Sequence, residues 1–241
     1  LPCALETLYD ILSMKNFSKK GNITMEKNKM RRLSIIFTSI VGSILLVVAA
    51  IVLILRFSHR ETPDLAPSVQ VIAEARVPDY VNEQILPVSS NSRRNVPLED
   101  LTAIVVHYVG NPGTSAEQNR KYYGNADTTV NSHFLIGLDG EVIQCLPLYE
   151  KSSASNDRNR DTISIEVCHP DESGKFTEAS YNRLVELCTW ICRECGFSSK
   201  NIIRHYDITG KACPLYFVEN EDAWTQFLYD VECALNSENE K

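Results

Sequence analysis

The sequence predicts an α/β domain with a mixed central β-sheet flanked by helices, preceded by a single transmembrane helix. Three features carry this expectation. Short β-branched runs alternate with amphipathic stretches between residues 98 and 236, the pattern of strands interleaved with covering helices. Asp139-Gly140 lies between two apolar segments and favours a tight hairpin turn. Leu33 to Leu55 is twenty-three consecutive residues without a charge. As a helix it would span about 35 Å, enough for a bilayer core of about 30 Å.

Taken from the N-terminus, Lys27, Lys29, Arg31 and Arg32 precede the apolar run, whereas Arg56 and Arg60 beyond it are offset by Glu61 and Asp64. The positive-inside rule then predicts a cytosolic segment at 1–32, an uncleaved signal anchor at 33–55 and everything beyond outside the membrane. A cleaved signal peptide fits less well, because its apolar region is normally about 7–15 residues long. The stretch from Met25 reads like the start of an ordinary signal anchor, which makes 1–24 a candidate upstream extension. Residues 56–97 carry Pro63, Pro67, Pro78, Pro87 and Pro97 with little sustained periodicity, and read as an extracytoplasmic linker.

The domain itself is expected over 98–236, with 237–241 as a tail. Thr102–Tyr108 is a β-branched run and a buried strand, and Thr114–Tyr123 is helical after the Asn111-Pro112-Gly113 turn. Ser132–Leu138 and Glu141–Leu146 form the hairpin around Asp139-Gly140. Thr162–Cys168 is a further strand and Asn201–His205 a short one. Thr177 is placed to cap a helix that ends at Gly196, with Tyr181, Leu184, Val185, Cys188, Ile191, Cys192 and Cys195 on one stripe. A final helix runs from about Glu221 to Leu235, capped by Asn220.

The charge is unevenly spread. Residues 1–32 hold seven Lys/Arg against three Asp/Glu, leaving 33–241 with 17 against 28. An acidic domain argues against a nucleic-acid partner, and 44% hydrophobic residues exclude a wholly disordered or fibrous chain. Seven of the eight cysteines fall in the half expected outside, an odd number for a full set of disulfides. Cys188, Cys192 and Cys195 share the apolar helical stripe, where cysteine packs as a small hydrophobe.

Among the five histidines, His59 and His169 lack a partner pattern and read as surface residues. His107 closes a strand, and His205 follows another, eight residues before Cys213. Two imidazoles and a thiolate can fill three corners of a zinc tetrahedron and leave the fourth to water, as in hydrolytic zinc sites. Spacing alone leaves that reading open beside a structural one. Glu166 alternates opposite the apolar positions of its strand, and Lys211 alone reads as a surface lysine.

Four blocks then stand in a recognisable order: IVVHYVGNPG (104–113), SHFLIGLDGEVIQCLP (132–147), NDRNRDTISIEVCHPDESGKF (156–176) and IRHYDITGKACP (203–214). Together they resemble the type 2 zinc-dependent N-acetylmuramoyl-L-alanine amidases, which include phage-lysozyme-like amidases and peptidoglycan recognition proteins. The resemblance covers roughly 96–236. It implies hydrolysis of the amide between the lactyl group of N-acetylmuramic acid and L-alanine of peptidoglycan, by a water activated on one zinc ion. By matched motif, His107, His205 and Cys213 would be the zinc ligands. Glu166 would handle the proton of the attacking water, and Lys211 would stabilise the oxyanion. His133, beside the hairpin, would orient the site or touch substrate, with a structural role equally open to it. Two positions depart from many relatives: Ser132 stands where a Tyr is common and Ala154 near the place of a His.

The expectation is therefore a membrane-anchored amidase remodelling peptidoglycan outside a bacterial cytoplasmic membrane. A non-hydrolytic peptidoglycan-binding sensor and a prophage-derived lysis amidase are the alternatives. Non-catalytic relatives typically lack the cysteine ligand, and Cys213 is present.

Overall fold

A computed structural model describes residues 30–31, 37–51 and 65–237. The chain divides into two units, Leu1–Thr62 and Pro63–Lys241. In the first, residues 37–51 are helical, with Phe37, Leu45 and Leu46 exposed. Among the described residues no helix is long and apolar enough to cross a membrane. The remainder of the expected anchor, 33–36 and 52–55, lies outside the described residues, as do Met25 and His59.

The second unit is built on six strands: β1 (Val81–Glu83), β2 (Ala103–Tyr108), β3 (Phe134–Ile136), β4 (Val142–Gln144), β5 (Thr162–Val167) and β6 (Ile202–Arg204). They stand in the order β1-β4-β3-β5-β2-β6. Among these described strands the β3–β4 hairpin is antiparallel, and β1–β4, β3–β5, β5–β2 and β2–β6 are parallel. The mixed sheet expected from the sequence is what forms, and Gly140, at φ 79°, makes the tight turn between β3 and β4.

Side chains alternate across the central strands and divide the interior in two. Ile104, Val106, Phe134, Ile136, Ile163, Ile165 and Val167 point into the larger core. Two long helices cover that face, α3 (Glu178–Cys195) and α5 (Glu221–Ser237). Of the stripe expected on α3, Leu184, Cys188, Ile191 and Cys192 are fully enclosed and Tyr181, Val185 and Cys195 half-buried, while Leu187, outside that stripe, is fully enclosed too. Thr177 caps α3 by accepting the Ser180 N–H at 3.0 Å, and Gly196 ends it in the left-handed conformation at φ 66°. Asn220 behaves differently from expectation, its amide bonding the Tyr216 carbonyl at 3.0 Å and leaving its own carbonyl to receive the Ala223 N–H. On the other face Leu135, Ile143 and Leu146 pack against α2 (Ala116–Tyr123), which Ser115 and Gln118 cap reciprocally.

The linker reading fails for residues 65–97. Pro67 opens α1 (Pro67–Glu74) at a position that suits its fixed φ, and Val69 and Ile72 of that helix are fully buried. Val81–Glu83 then adds to the sheet beside β4, and Leu86 sits in the second core with its N–H on the Cys145 carbonyl at 2.8 Å. Farther on, Arg93 grips the Glu150 carboxylate with two guanidinium nitrogens, Nε at 2.8 Å, while Nη1 donates to the Leu86 carbonyl at 2.6 Å. Both members of the pair are enclosed, Glu150 almost entirely.

Because a buried carboxylate left without its partner is costly, Arg93→Ala should destabilise the unit by about 3–5 kcal/mol in urea unfolding. A chain beginning at residue 98 should unfold at lower urea than one beginning at residue 63.

Candidate metal centre

The site grows from the register of two parallel strands. His107 on β2 lies opposite Glu166 on β5, and Glu166 lies opposite Leu135 on β3. Since Val106 and Ile165 face the larger core, His107 and Glu166 turn to the other side, near the carboxyl ends of β2 and β5. That end of a parallel sheet is where crevices open, because the chain leaves each strand in a different direction. β6 runs parallel beside β2, and the next residue, His205, begins a short helix, α4 (His205–Thr209).

Cys213 returns to this point through a closed loop in which the Tyr206 N–H bonds the Cys213 carbonyl at 2.9 Å. Arg204, at the end of β6, holds the base of that loop. Its guanidinium bonds Asp207 at 3.0 Å, Glu221 at 2.7 Å and the Phe217 carbonyl at 2.9 Å, and lies 5.2 Å from the Trp224 ring centre.

His107, His205 and Cys213 are thereby brought together, each offering one donor atom, with those atoms all within 4.8 Å of one another. Cys213 Sγ is 3.7 Å from His107 Nδ1, and the two imidazole centres are 4.8 Å apart. His107 Nε2 meets Ser155 Oγ at 3.1 Å, and His205 Nε2 meets Asn156 Oδ1 at 2.9 Å. His107 thus turns Nδ1 toward the sulfur, while His205 has its Nε2 engaged by Asn156 and keeps Nδ1 as its donor. Two imidazoles and one thiolate form a donor set suited to zinc with a coordination position left open.

The electrostatics fit the same use. Burial holds His107 well below its ordinary pKa, helped by His205 and Lys211, and burial with Lys211 lowers His205. Both rings are neutral near pH 7 and keep a lone pair for a cation. Burial pushes the Cys213 thiol up to about 12, against a Tyr108 main-chain N–H and the Lys211 ammonium. A dication beside the sulfur is what would convert it to thiolate.

Beside the three donors opens a cleft of about 460 Å³, lined by Tyr108, Asn119, Tyr122, Tyr123, Asn131, Ala154, Glu166, His205 and Lys211. Glu166 lies half-buried in its wall, with Oε2 enclosed and without a hydrogen-bond partner. Burial raises its pKa to about 8, with Lys211 pulling the other way. Lys211 is exposed at the rim. Tyr123 reaches toward Ser132, its hydroxyl 3.2 Å from Ser132 Oγ, and Tyr122 stands half-exposed beside it.

His133 takes the structural one of its expected places, and His169 is not the surface residue expected. His133 does not line the cleft: its Nε2 meets the Glu150 carbonyl at 2.8 Å, its Nδ1 accepts the Ser164 N–H at 3.0 Å, and the ring is fully buried. It joins β5 to the loop carrying Glu150. His169 is buried as well, tilted against Tyr108 with ring centres 4.9 Å apart and Nδ1 on the Asp171 carbonyl at 2.8 Å. Ser155, Asn156 and the cleft tyrosines went unread in the sequence. The Tyr122-Tyr123 pair at the end of a helix was the one visible signal among them.

Burial depresses the His133 pKa to about 4, against a raising effect from the Glu150 carbonyl. The unfolded ring takes a proton near pH 6.5, so native stability falls as pH drops from about 6.5 to 4, by about 3 kcal/mol for this residue. Urea unfolding across that range should show a shallower acid loss in His133→Gln than in the wild type.

Residues 97–215 match the N-acetylmuramoyl-L-alanine amidase family. The curated N-acetylmuramoyl-L-alanine amidase BlyA of Bacillus subtilis (strain 168) is 27% identical over 175 residues, covering 64% of this chain and 47% of its own length. CwlL of Bacillus licheniformis, of the same description, is 26% identical over 174 residues, covering 65% and 48%. The chain spans about half the length of these curated relatives. Among solved structures, the catalytic domain of XlyA superposes with a TM-score of 0.56 at 27% identity, covering 63% of this chain and 98% of that one. A mutant endolysin from Bacillus subtilis gives a TM-score of 0.56 at 27% identity, covering 63% and 97%. Sheet, donor cluster and matched segment coincide over the same residues, and residues 97–215 form a domain of the N-acetylmuramoyl-L-alanine amidase family.

Proposed function

We propose that this chain hydrolyses the amide between the lactyl carbonyl of N-acetylmuramic acid and the amino group of L-alanine in peptidoglycan. The observation that carries the reading is the convergence of His107, His205 and Cys213 beside a cleft that also exposes Glu166 and Lys211. A zinc ion held by the three donors would polarise the amide carbonyl and render water nucleophilic near neutral pH. Glu166, with Oε2 unpartnered at the cleft wall, would be kept ionised by a dication beside it, and in that form takes the proton of the attacking water and delivers it to the alanine nitrogen as the C–N bond breaks. Lys211 sets a positive charge at the rim where the carbonyl oxygen gains negative charge.

The cleft suits a polar, elongated substrate. Asn119 offers its amide oxygen, and Tyr122 offers an exposed ring. Membrane anchoring through 33–55, with the domain outside the cytoplasmic membrane, belongs to the same proposal. It is supported by the uncharged length of that run and by the helix formed over residues 37–51. A lysis role with identical chemistry is the second reading, favoured by the likeness to a solved endolysin. A binding-only sensor is disfavoured by the intact cysteine donor.

Purified residues 63–241 should contain one zinc per chain and release stem peptides beginning with L-alanine from peptidoglycan, identified by mass spectrometry. A chelator should abolish the release. Zinc-loaded protein that binds the wall but frees no peptide would transfer the assignment to the sensor. Glu166→Gln should retain zinc and lose about 100- to 10,000-fold in turnover. Lys211→Met should lose about 100- to 1,000-fold with zinc content unchanged.

A further inference from the structure

We infer that the segment 152–160 is a built cradle for the metal centre, in which Asn156 and Ser155 are positioning residues that fix the orientation of the two imidazoles, Asn156 also setting the tautomer of His205. The inference rests on the zinc reading above and concerns residues outside the donor set.

Consecutive residues of one segment meet the far nitrogens of two rings that come from different elements, β2 and the start of α4. Ser155 Oγ lies 3.1 Å from His107 Nε2, and Asn156 Oδ1 lies 2.9 Å from His205 Nε2. A carboxamide oxygen only accepts, so His205 carries its proton on Nε2 and keeps the Nδ1 lone pair free. A ligand imidazole whose second nitrogen is engaged in this way is fixed in rotation and is a better donor. Without that contact the ring would be free to present the wrong nitrogen.

The segment is constructed to hold these two side chains still. Asn159 Oδ1 accepts the main-chain N–H groups of Ala154 at 3.0 Å and Ser155 at 2.7 Å, closing a tight turn beneath the pair. Ser155 is fully buried. Asn156 adopts φ 52°, a left-handed conformation that asparagine tolerates better than most residues with a side chain. Glycine would satisfy that backbone without the carboxamide. Asparagine at this position therefore meets two demands, a backbone angle and an acceptor, and only the second concerns the metal.

That separation gives the test. Zinc affinity of the full chain is measured by competition with a chromophoric chelator, and the ligand field by the visible spectrum of Co²⁺ added in place of zinc. Asn156→Gly keeps the backbone angle and removes the acceptor. It should bind zinc about 10- to 100-fold more weakly, with an altered cobalt spectrum and a thermal midpoint of the metal-free protein unchanged. Asn156→Asp restores an acceptor and should bind zinc at least as tightly as the wild type. Ser155→Ala should weaken zinc binding in the same direction. Wild-type affinity and an unaltered cobalt spectrum in Asn156→Gly would overturn the inference and leave the zinc centre standing. A wild-type chain that binds no zinc would overturn both.

Discussion

The parallel register between β2 and β5 is the constraint on which the site depends. Strand side chains repeat with a period of two, so sliding one strand by a single residue would turn His107 or Glu166 into the larger core and bring an isoleucine or valine to the cleft. The apolar residues prevent it: Ile104, Val106, Ile163, Ile165 and Val167 are all fully buried on the opposite face. Hydrophobic burial across the sheet therefore specifies the placement of a metal donor and an acid-base group that contribute nothing to that core. β6 extends the logic by one strand, delivering His205 at its end.

Around that frame the domain is tied together by polar groups whose partners come from far along the chain. Arg204 binds Asp207, Glu221 and the Phe217 carbonyl, joining β6 to the helices that follow it. His133 connects β5 to the segment bearing Glu150, and Glu150 in turn receives Arg93. A continuous series of buried polar contacts thus links the N-terminal arm to the strand carrying Glu166. Each contact removes an otherwise expensive unpaired group from the interior. The cleft uses the opposite device. Glu166 Oε2 is left without a partner, and burial raises the carboxyl pKa to about 8.

What could be read in advance follows from the length scale of each signal. The α3 helix announces itself through five turns of periodic apolar residues between a Thr177 cap and a Gly196 stop. β2 and β5 are each six residues of strongly patterned sequence, and Asp139-Gly140 names its own turn. β1 is three residues long between prolines, too short for alternation to register, and it is held by its neighbour β4 rather than by its own composition. α1 did carry a signal, Pro67 followed by Val69 and Ile72 at helical spacing, but the surrounding prolines masked it. The three metal donors are 106 residues apart at the extremes and became legible only through matched motifs. Ser155 and Asn156 sit in a polar loop where any serine or asparagine would look ordinary. His169 was misplaced because its burial comes from the Tyr108 ring, a contact across 61 positions that no local pattern encodes.

The sheet's ends have a bearing on how copies of the domain behave at high local density. Its two outermost strands, β1 and β6, are the shortest kind present, three residues each. An outer strand is where a second chain can add itself by main-chain pairing, and the risk grows with the length of open backbone offered. Here the long strands β2 and β5 are interior and fully paired, while each margin presents little more than one repeat of donor and acceptor. Asn82 and Glu83 on the β1 margin are exposed and polar besides. Domains crowded together on a shared surface would meet edges that offer a neighbour almost nothing to extend.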